Sequence, residues 1–323
     1  MSAPIAHIPA ALAAVTRGAR RLLEVILHIG AHRTATTSFQ QTLEANRANL
    51  RKTGLGFWGP AQTRAGLLDG LGRDPAQATA AERARARRSR AAIAAALAAE
   101  RDRGTRRLVV SEENMMGTMR GNLAARALYP GLAVRLARIG AAFPEVRRVA
   151  LGVRGLEDYW ASACAYAIAA GLPVVGPSAH AAIAAGPRSW RDVVRETAAA
   201  FPRAEVTVWA FDDVVGRPAA QLAMMTGGAG TAALPRAARR QNASLPRDGL
   251  RATLARRGAL AEAAAIPPGP GRYMPFDRDQ RAALRIRYAA DLAWLRSGAA
   301  GLARFIEDRP GLSPGRRGQG IPT

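Results

Sequence analysis

Residues 27–43, LHIGAHRTATTSFQQTL, constrain the fold more than any other part of the chain. An apolar, β-branched run (Glu24 to Ile29) ends at Gly30, and a short loop with one arginine and several hydroxyls follows. Phe39, Leu43 and Leu50 then recur at helical spacing, with Gly54 as a C-terminal cap, predicting a helix from about Thr36 to Lys52. Strand, glycine loop and helix make the first half of a βαβ unit. The start of such a helix attracts anions, because the N–H groups of its first turn and the positive end of its dipole converge there.

The identity of the anion turns on spacing. A nucleotide-triphosphate loop reads G-x-x-x-x-G-K-[ST]. With Gly30 as its first glycine, Ala35 falls at the second, Thr36 at the lysine and Thr37 at the magnesium-binding hydroxyl. The lysine is missing, and the cation lies three residues earlier, at Arg33.

The rest of the chain fits an α/β domain. Arg107 to Ser111, Glu145 to Val153 and Val206 to Phe211 read as further strands. Helices are expected over 79–103, from Leu156 along the stripe to Cys164, around Trp190 to Phe201, and at 247–265 and 278–296. This alternation predicts a three-layer P-loop fold with a mostly parallel central sheet flanked by helices, plus extra C-terminal helices. Residues 1–22 read as an N-terminal extension, 23–308 as the domain, and 309–323, rich in Pro, Gly and Arg, as a disordered tail. With 323 residues and 49% hydrophobic content, the chain can bury a sizeable core.

The loop Arg33-Thr34-Ala35-Thr36-Thr37 resembles that of the sulfotransferases that use 3′-phosphoadenosine 5′-phosphosulfate (PAPS), typically Lys-Thr-Gly-Thr-Thr. That family's second signature is an arginine at a strand end and a serine eight residues on, and RVALGVRGLEDYWAS supplies Arg154 and Ser162. An arginine suits this place because its planar fork binds phosphate oxygens bidentately. Softer likeness to bacterial members runs through LVVSEEN (108–114), PRAEVTVWAFDDV and RRQNASLP. The resemblance spans about residues 22 to 296.

It implies a PAPS-dependent sulfotransferase that needs no metal. His32, Arg33, Thr34, Ala35, Thr36 and Thr37 would hold the phosphosulfate, with Arg33 also stabilising the leaving oxygen, and Arg154 and Ser162 would hold the 3′-phosphate. Glu113 matches the family's glutamate and is the first choice of base, with Glu112 beside it. The acceptor would be a small molecule, a carbohydrate or a lipid, its pocket ringed by residues 59–80 and 171–188. Two departures, arginine for lysine and Ala35 for glycine, keep open a catalytically impaired anion-binding protein. A P-loop kinase or NTPase is the other alternative.

Other features carry less. The net charge of +23 comes from 47 basic against 24 acidic residues, and Lys52 is the only lysine. This arginine skew reads as compositional bias as much as function, so it is modest evidence for an anionic ligand. Arg83, Arg85, Arg87, Arg88 and Arg90 form the densest basic cluster; they point several ways around a helix, which favours a solvated surface over a sequence-specific nucleic-acid ridge. An anionic glycan or lipid acceptor would also be drawn to them. A single cysteine, Cys164, excludes an intrachain disulfide, and His28 and His32 do not form a metal site. Gly54 to Gly59 (GLGFWG) satisfies a dinucleotide pattern literally but follows a helix, so it reads as a cap and a strand. Trp58, Tyr159 and Trp160 are expected in the core. No segment reads as a leader or a membrane span, so a cytoplasmic protein is expected; a homo-oligomer is left open.

Overall fold

A computed structural model describes residues 23–72, 74, 76–235 and 244–307. The extension 1–22, the tail 309–323 and most of the RRQNASLP motif lie outside the described residues. Six strands, β1 (Glu24–Gly30), β2 (Leu55–Trp58), β3 (Arg107–Ser111), β4 (Val146–Val153), β5 (Glu205–Ala210) and β6 (Arg304–Phe305), form one sheet in the order β2-β3-β1-β4-β5-β6. Every pairing in it is parallel.

Helices cover both faces. Successive side chains of a strand point to opposite sides, so a strand buried on both faces is apolar throughout. In β1, Val25, Leu27 and Ile29 belong to one core cluster and Ile26 to another. The second cluster is built with α1 (Thr36–Ala45) and α2 (Arg47–Lys52). A short α3 (Pro60–Gln62) leads to α4 (Ala80–Asp102), α5 (Met119–Ala125), α6 (Leu132–Ala142), α7 (Leu156–Ala169), α8 (Pro177–Ala185) and α9 (Trp190–Ala200). All of these from α4 onward pack in the first cluster. Beyond β5 come α10 (Phe211–Val214) and α11 (Pro218–Thr226) against the second cluster, then α12 (Arg247–Arg256), α13 (Leu260–Ala265) and α14 (Arg278–Arg296).

Two predicted helices are broken. The run 36–52 divides at Asn46, whose side-chain amide donates to Thr42 O at 2.8 Å, a local bond that competes with the helical ladder. The run 247–265 divides near Gly258, which takes a positive φ of 76°. Trp58, Tyr159 and Trp160 are buried, as expected of core aromatics. No helix among the described residues is long and apolar enough to cross a membrane.

The position of β1 matters most. Its neighbours are β3 on one side and β4 on the other, so the chain winds away in both directions from its carboxyl end. In open parallel sheets that switch point leaves a crevice at the strand ends.

Candidate active site

The three segments singled out in the sequence meet at the carboxyl ends of β3, β1 and β4. Gly30 closes β1 at φ 120°, and a Cβ there would lie 3.2 Å from Glu113 Cβ and from His32 N. A side chain at position 30 would press on Glu113 and on the loop backbone, at a φ that favours glycine. Ala31 N–H donates to Gly152 O (3.1 Å) and Thr34 Oγ1 to Ala31 O (2.7 Å), tying the loop to β4 and to itself. Arg33 (φ 62°) and Ala35 (φ 60°) are both left-handed, and α1 starts after Ala35 with no side-chain cap.

Ala35 thus takes a left-handed backbone that favours glycine while carrying a Cβ. A left-handed non-glycine residue costs about 1–2 kcal/mol, partly offset by the greater freedom of glycine in the unfolded chain. Ala35→Gly should accordingly stabilise the fold by about 1 kcal/mol, raising the melting temperature by about 2 °C in a thermal scan. An unchanged or lower melting temperature would contradict this strain.

Arg33 and the second motif form one cluster. Arg33 Nε donates to Ser162 Oγ at 2.8 Å and Nη2 to Ser244 Oγ at 3.0 Å; the two serine hydroxyls are 2.9 Å apart. Arg154 Nη1 donates to Arg33 O at 2.6 Å, and its guanidinium lies 4.8 Å over the Phe211 ring. Trp190 Nε1 donates to Arg154 O (2.7 Å), and Trp190 N–H is in turn fixed by Asp291 (3.0 Å) on α14. Burial, then the nearby Arg272, pulls the Arg154 pKa down to about 10, and burial also lowers that of Arg33. Both remain cations at neutral pH. Arg154 Nε is buried and has no hydrogen-bond partner, a donor suited to a bound anion.

On the β3 side, Glu113 Oε1 accepts from Arg64 Nη2 and Oε2 from Gln40 Nε2, both at 2.9 Å. Its side chain retains 12% exposure. Glu112 is fully enclosed and accepts from Thr63 Oγ1 (2.7 Å), Arg64 Nε (2.8 Å) and Nη2 (2.9 Å), and Asn114 N–H (3.0 Å). Burial alone would raise its pKa, but these donors outweigh it and hold the carboxyl below the ordinary 4.5. Glu112 is thus a fixed anion that fastens the 63–64 turn beneath the site. Glu113 is the less enclosed of the two carboxylates.

His32 is held in one tautomer. Its N–H donates to Tyr129 Oη (2.9 Å), Nδ1 lies 3.2 Å from the same oxygen, and Nε2 lies 3.2 Å from Asn114 Oδ1. Tyr159 donates to Tyr129 Oη (3.3 Å), and Asn122 to Tyr159 Oη (2.8 Å). This chain leaves Tyr129 to donate to Nδ1, so Nε2 carries the proton toward Asn114. Burial lowers the His32 pKa against the pull of Glu113. A neutral imidazole with its proton on Nε2 and Nδ1 already bonded is a poor base. Thr36 is buried at the start of α1, and Thr37 follows it in the first turn.

Arg64, Gln40, Tyr129 and Ser244 were not singled out in the sequence. Arg64 lies within the stretch 59–80 expected around the acceptor, and Ser244 within RRQNASLP; Gln40 and Tyr129 carry no local signal. Among the described residues no group of three His, Cys, Asp or Glu side chains could hold a metal ion. No protein-family model, curated protein or solved structure matches the chain.

Proposed function

We propose that the protein transfers a sulfuryl group from PAPS to the hydroxyl or amine of an acceptor. The observation that carries this reading is the cluster Arg33–Ser162–Arg154: two sequence motifs more than a hundred residues apart share hydrogen bonds at one end of the sheet. A loop with a helix start on one side and an arginine–serine pair on the other suits a ligand with two separate anionic groups, as a 3′-phosphorylated nucleotide has. A nucleoside triphosphate concentrates its charge in one chain and has no use for the second pair.

The donor supplies an electrophilic sulfur whose bond to the bridging phosphate oxygen breaks as the acceptor attacks in line. Glu113 takes the proton from the acceptor oxygen or nitrogen as the new bond to sulfur forms. The bridging oxygen leaves with the electron pair, and the Arg33 cation and the loop amides stabilise that charge. Arg154 and Ser162 grip the 3′-phosphate. To reach the leaving oxygen, Arg33 releases Ser162, which then donates to the ligand. Catalysis of this kind is positioning and charge stabilisation more than covalent chemistry.

The test is calorimetric. Adenosine 3′,5′-bisphosphate should bind at least about tenfold more tightly than ATP with magnesium, because the 3′-phosphate adds a charge-assisted contact of about 1.5–3 kcal/mol. Equal or tighter ATP binding would favour an NTPase and overturn the proposal. Tight bisphosphate binding without PAPS turnover, across a panel of hydroxyl and amine acceptors, would leave an anion-binding protein of the same fold.

A further inference from the structure

The start of α9 is capped twice. Ser189 and Asp192 form a local cap, in which Ser189 N–H donates to Asp192 Oδ2 at 2.9 Å and Ser189 Oγ accepts from Arg191 N–H at 3.3 Å. A second carboxylate arrives from α14: Asp291 Oδ1 accepts from Ser189 Oγ (2.6 Å) and Arg191 N–H (3.3 Å), and Oδ2 accepts from Trp190 N–H (3.0 Å). Asp291 is 2% exposed, and burial raises its pKa against the pull of these donors. A carboxylate whose pKa is raised by folding carries its charge there at a cost to stability. Because the local cap already serves the helix, holding the helix end does not explain a second buried charge.

What the second cap fixes is Trp190. This residue is fully buried, and its two N–H groups point to different elements: the main-chain N–H to Asp291, and the indole Nε1–H to Arg154 O at 2.7 Å. Its ring meets Tyr159 edge-on, with centroids 5.4 Å apart. Helix α14 grips the same turn of α9 at two further points, through Arg191 Nη2 donating to Ala290 O (3.3 Å) and the Arg191 guanidinium lying 5.4 Å over Trp294. Arg154 immediately precedes Gly155, the N-cap of α7, so the bond at Arg154 O orients the planar peptide that joins the end of β4 to that helix. From this peptide the Arg154 side chain lies over Phe211 and reaches Arg33 O. Two hydrogen bonds in series therefore lead from Asp291 to the backbone that carries the guanidinium.

We infer that Asp291 is a positioning residue for Arg154: acting through Trp190, this carboxylate on α14 sets the aim of the guanidinium that meets the donor's 3′-phosphate. The inference rests on the proposed function for the identity of that ligand, whereas the relay itself is a property of the fold. Arg154 touches the nucleotide; Asp291 and Trp190 act through it.

Asp291→Asn and Trp190→Phe break the relay at its two bonds, the first leaving one acceptor oxygen in place of two and the second keeping an aromatic ring without its N–H. In calorimetry each should lower the affinity for adenosine 3′,5′-bisphosphate about fivefold, the worth of one buried hydrogen bond, and change that for adenosine 5′-phosphate by less than about twofold. In an Arg154→Ala background either substitution should weaken bisphosphate binding by less than about twofold more, because the group it positions is gone. A merely structural role would weaken both nucleotides alike and would add to the loss in Arg154→Ala; either result overturns the inference. Ser189→Ala is the milder cut in the same cap and replaces Asp291→Asn if that variant does not fold. Hydrogen exchange at the indole N–H groups reads the relay with no nucleotide present. The Trp190 signal, assigned by its absence from Trp190→Phe, should exchange at least about fivefold faster in Asp291→Asn, while that of Trp58, whose Nε1 donates to Glu100 Oε1 at 3.2 Å, stays unchanged. Unaltered exchange at Trp190 overturns the relay whatever the nucleotides do. Failure of the wild-type protein to bind the bisphosphate would instead sink the sulfotransferase reading, with the exchange measurement still deciding whether Asp291 governs Trp190.

Discussion

Replacing Arg154 by alanine will lower the affinity for adenosine 3′,5′-bisphosphate about a hundredfold and change that for adenosine 5′-phosphate by less than about threefold. The magnitude follows from chemistry: a charge-assisted, bidentate contact in a part-buried setting is worth about 1.5–3 kcal/mol. Arg154 is well placed for it. Its backbone is pinned by Trp190, its guanidinium rests on Phe211, and its Nε is buried without a partner. Little side-chain entropy is left to lose on binding. Arg154→Lys keeps the charge but not the fork, so it should recover only part of the loss, about tenfold. The 5′-phosphate comparison guards against the bond from Arg154 to Arg33 O. If the variant merely loosened the loop, both nucleotides would weaken together. Equal effects on the two, or none on the bisphosphate, would remove Arg154 from the 3′-phosphate position.

What the sequence disclosed and what it hid divide along physical lines. β1, β3, β4 and β5 were legible because a strand buried on both faces must be apolar throughout, a local property. The loop was legible because glycine, cation and hydroxyls sit within a few residues of one another. Arg154 and Ser162 could be paired because the seven residues between them form one strand-to-helix turn and the start of the helix it opens, the spacing of the signature they resemble. Gln40, Arg64 and Tyr129 follow no such rule. They meet Glu113 and His32 across 73, 49 and 97 residues of chain, and nothing in their neighbours announces it. The same distinction explains why both glutamates were reasonable candidates for the base. Thr63 Oγ1 and the Asn114 N–H, which bond Glu112 and not Glu113, separate the sealed Glu112 from the more accessible Glu113. The two-residue β6 was missed because so short a run has no periodicity to read.

Lowering the pH from 7 to 5 will cost the fold about 2 kcal/mol through His28 alone, by linkage between its two pKa values. His28 lies on β1, two residues before the loop glycine, fully buried between Phe39 and Trp209. Its Nδ1 is 2.7 Å from Ser111 Oγ and its Nε2 is 3.4 Å from Gln221 Nε2, and neither partner carries charge. Burial therefore pulls its pKa from 6.5 to about 3, against a small opposing contribution from the Gly30 backbone. The sign follows from who takes the proton. Between pH 6.5 and 3 the unfolded chain binds a proton at this histidine and the folded one does not, so stability is complete above 6.5 and declines as the pH falls through that window. His32 and His180 are lowered by burial in the same direction and add to the slope. The contribution of His28 is isolated by His28→Asn, whose amide can still reach Ser111. Urea unfolding at pH 7, 6 and 5 should show the variant less stable at pH 7 but with a pH dependence shallower by about 2 kcal/mol across the range. Parallel curves for the two proteins would mean that His28 accepts its proton in the folded state.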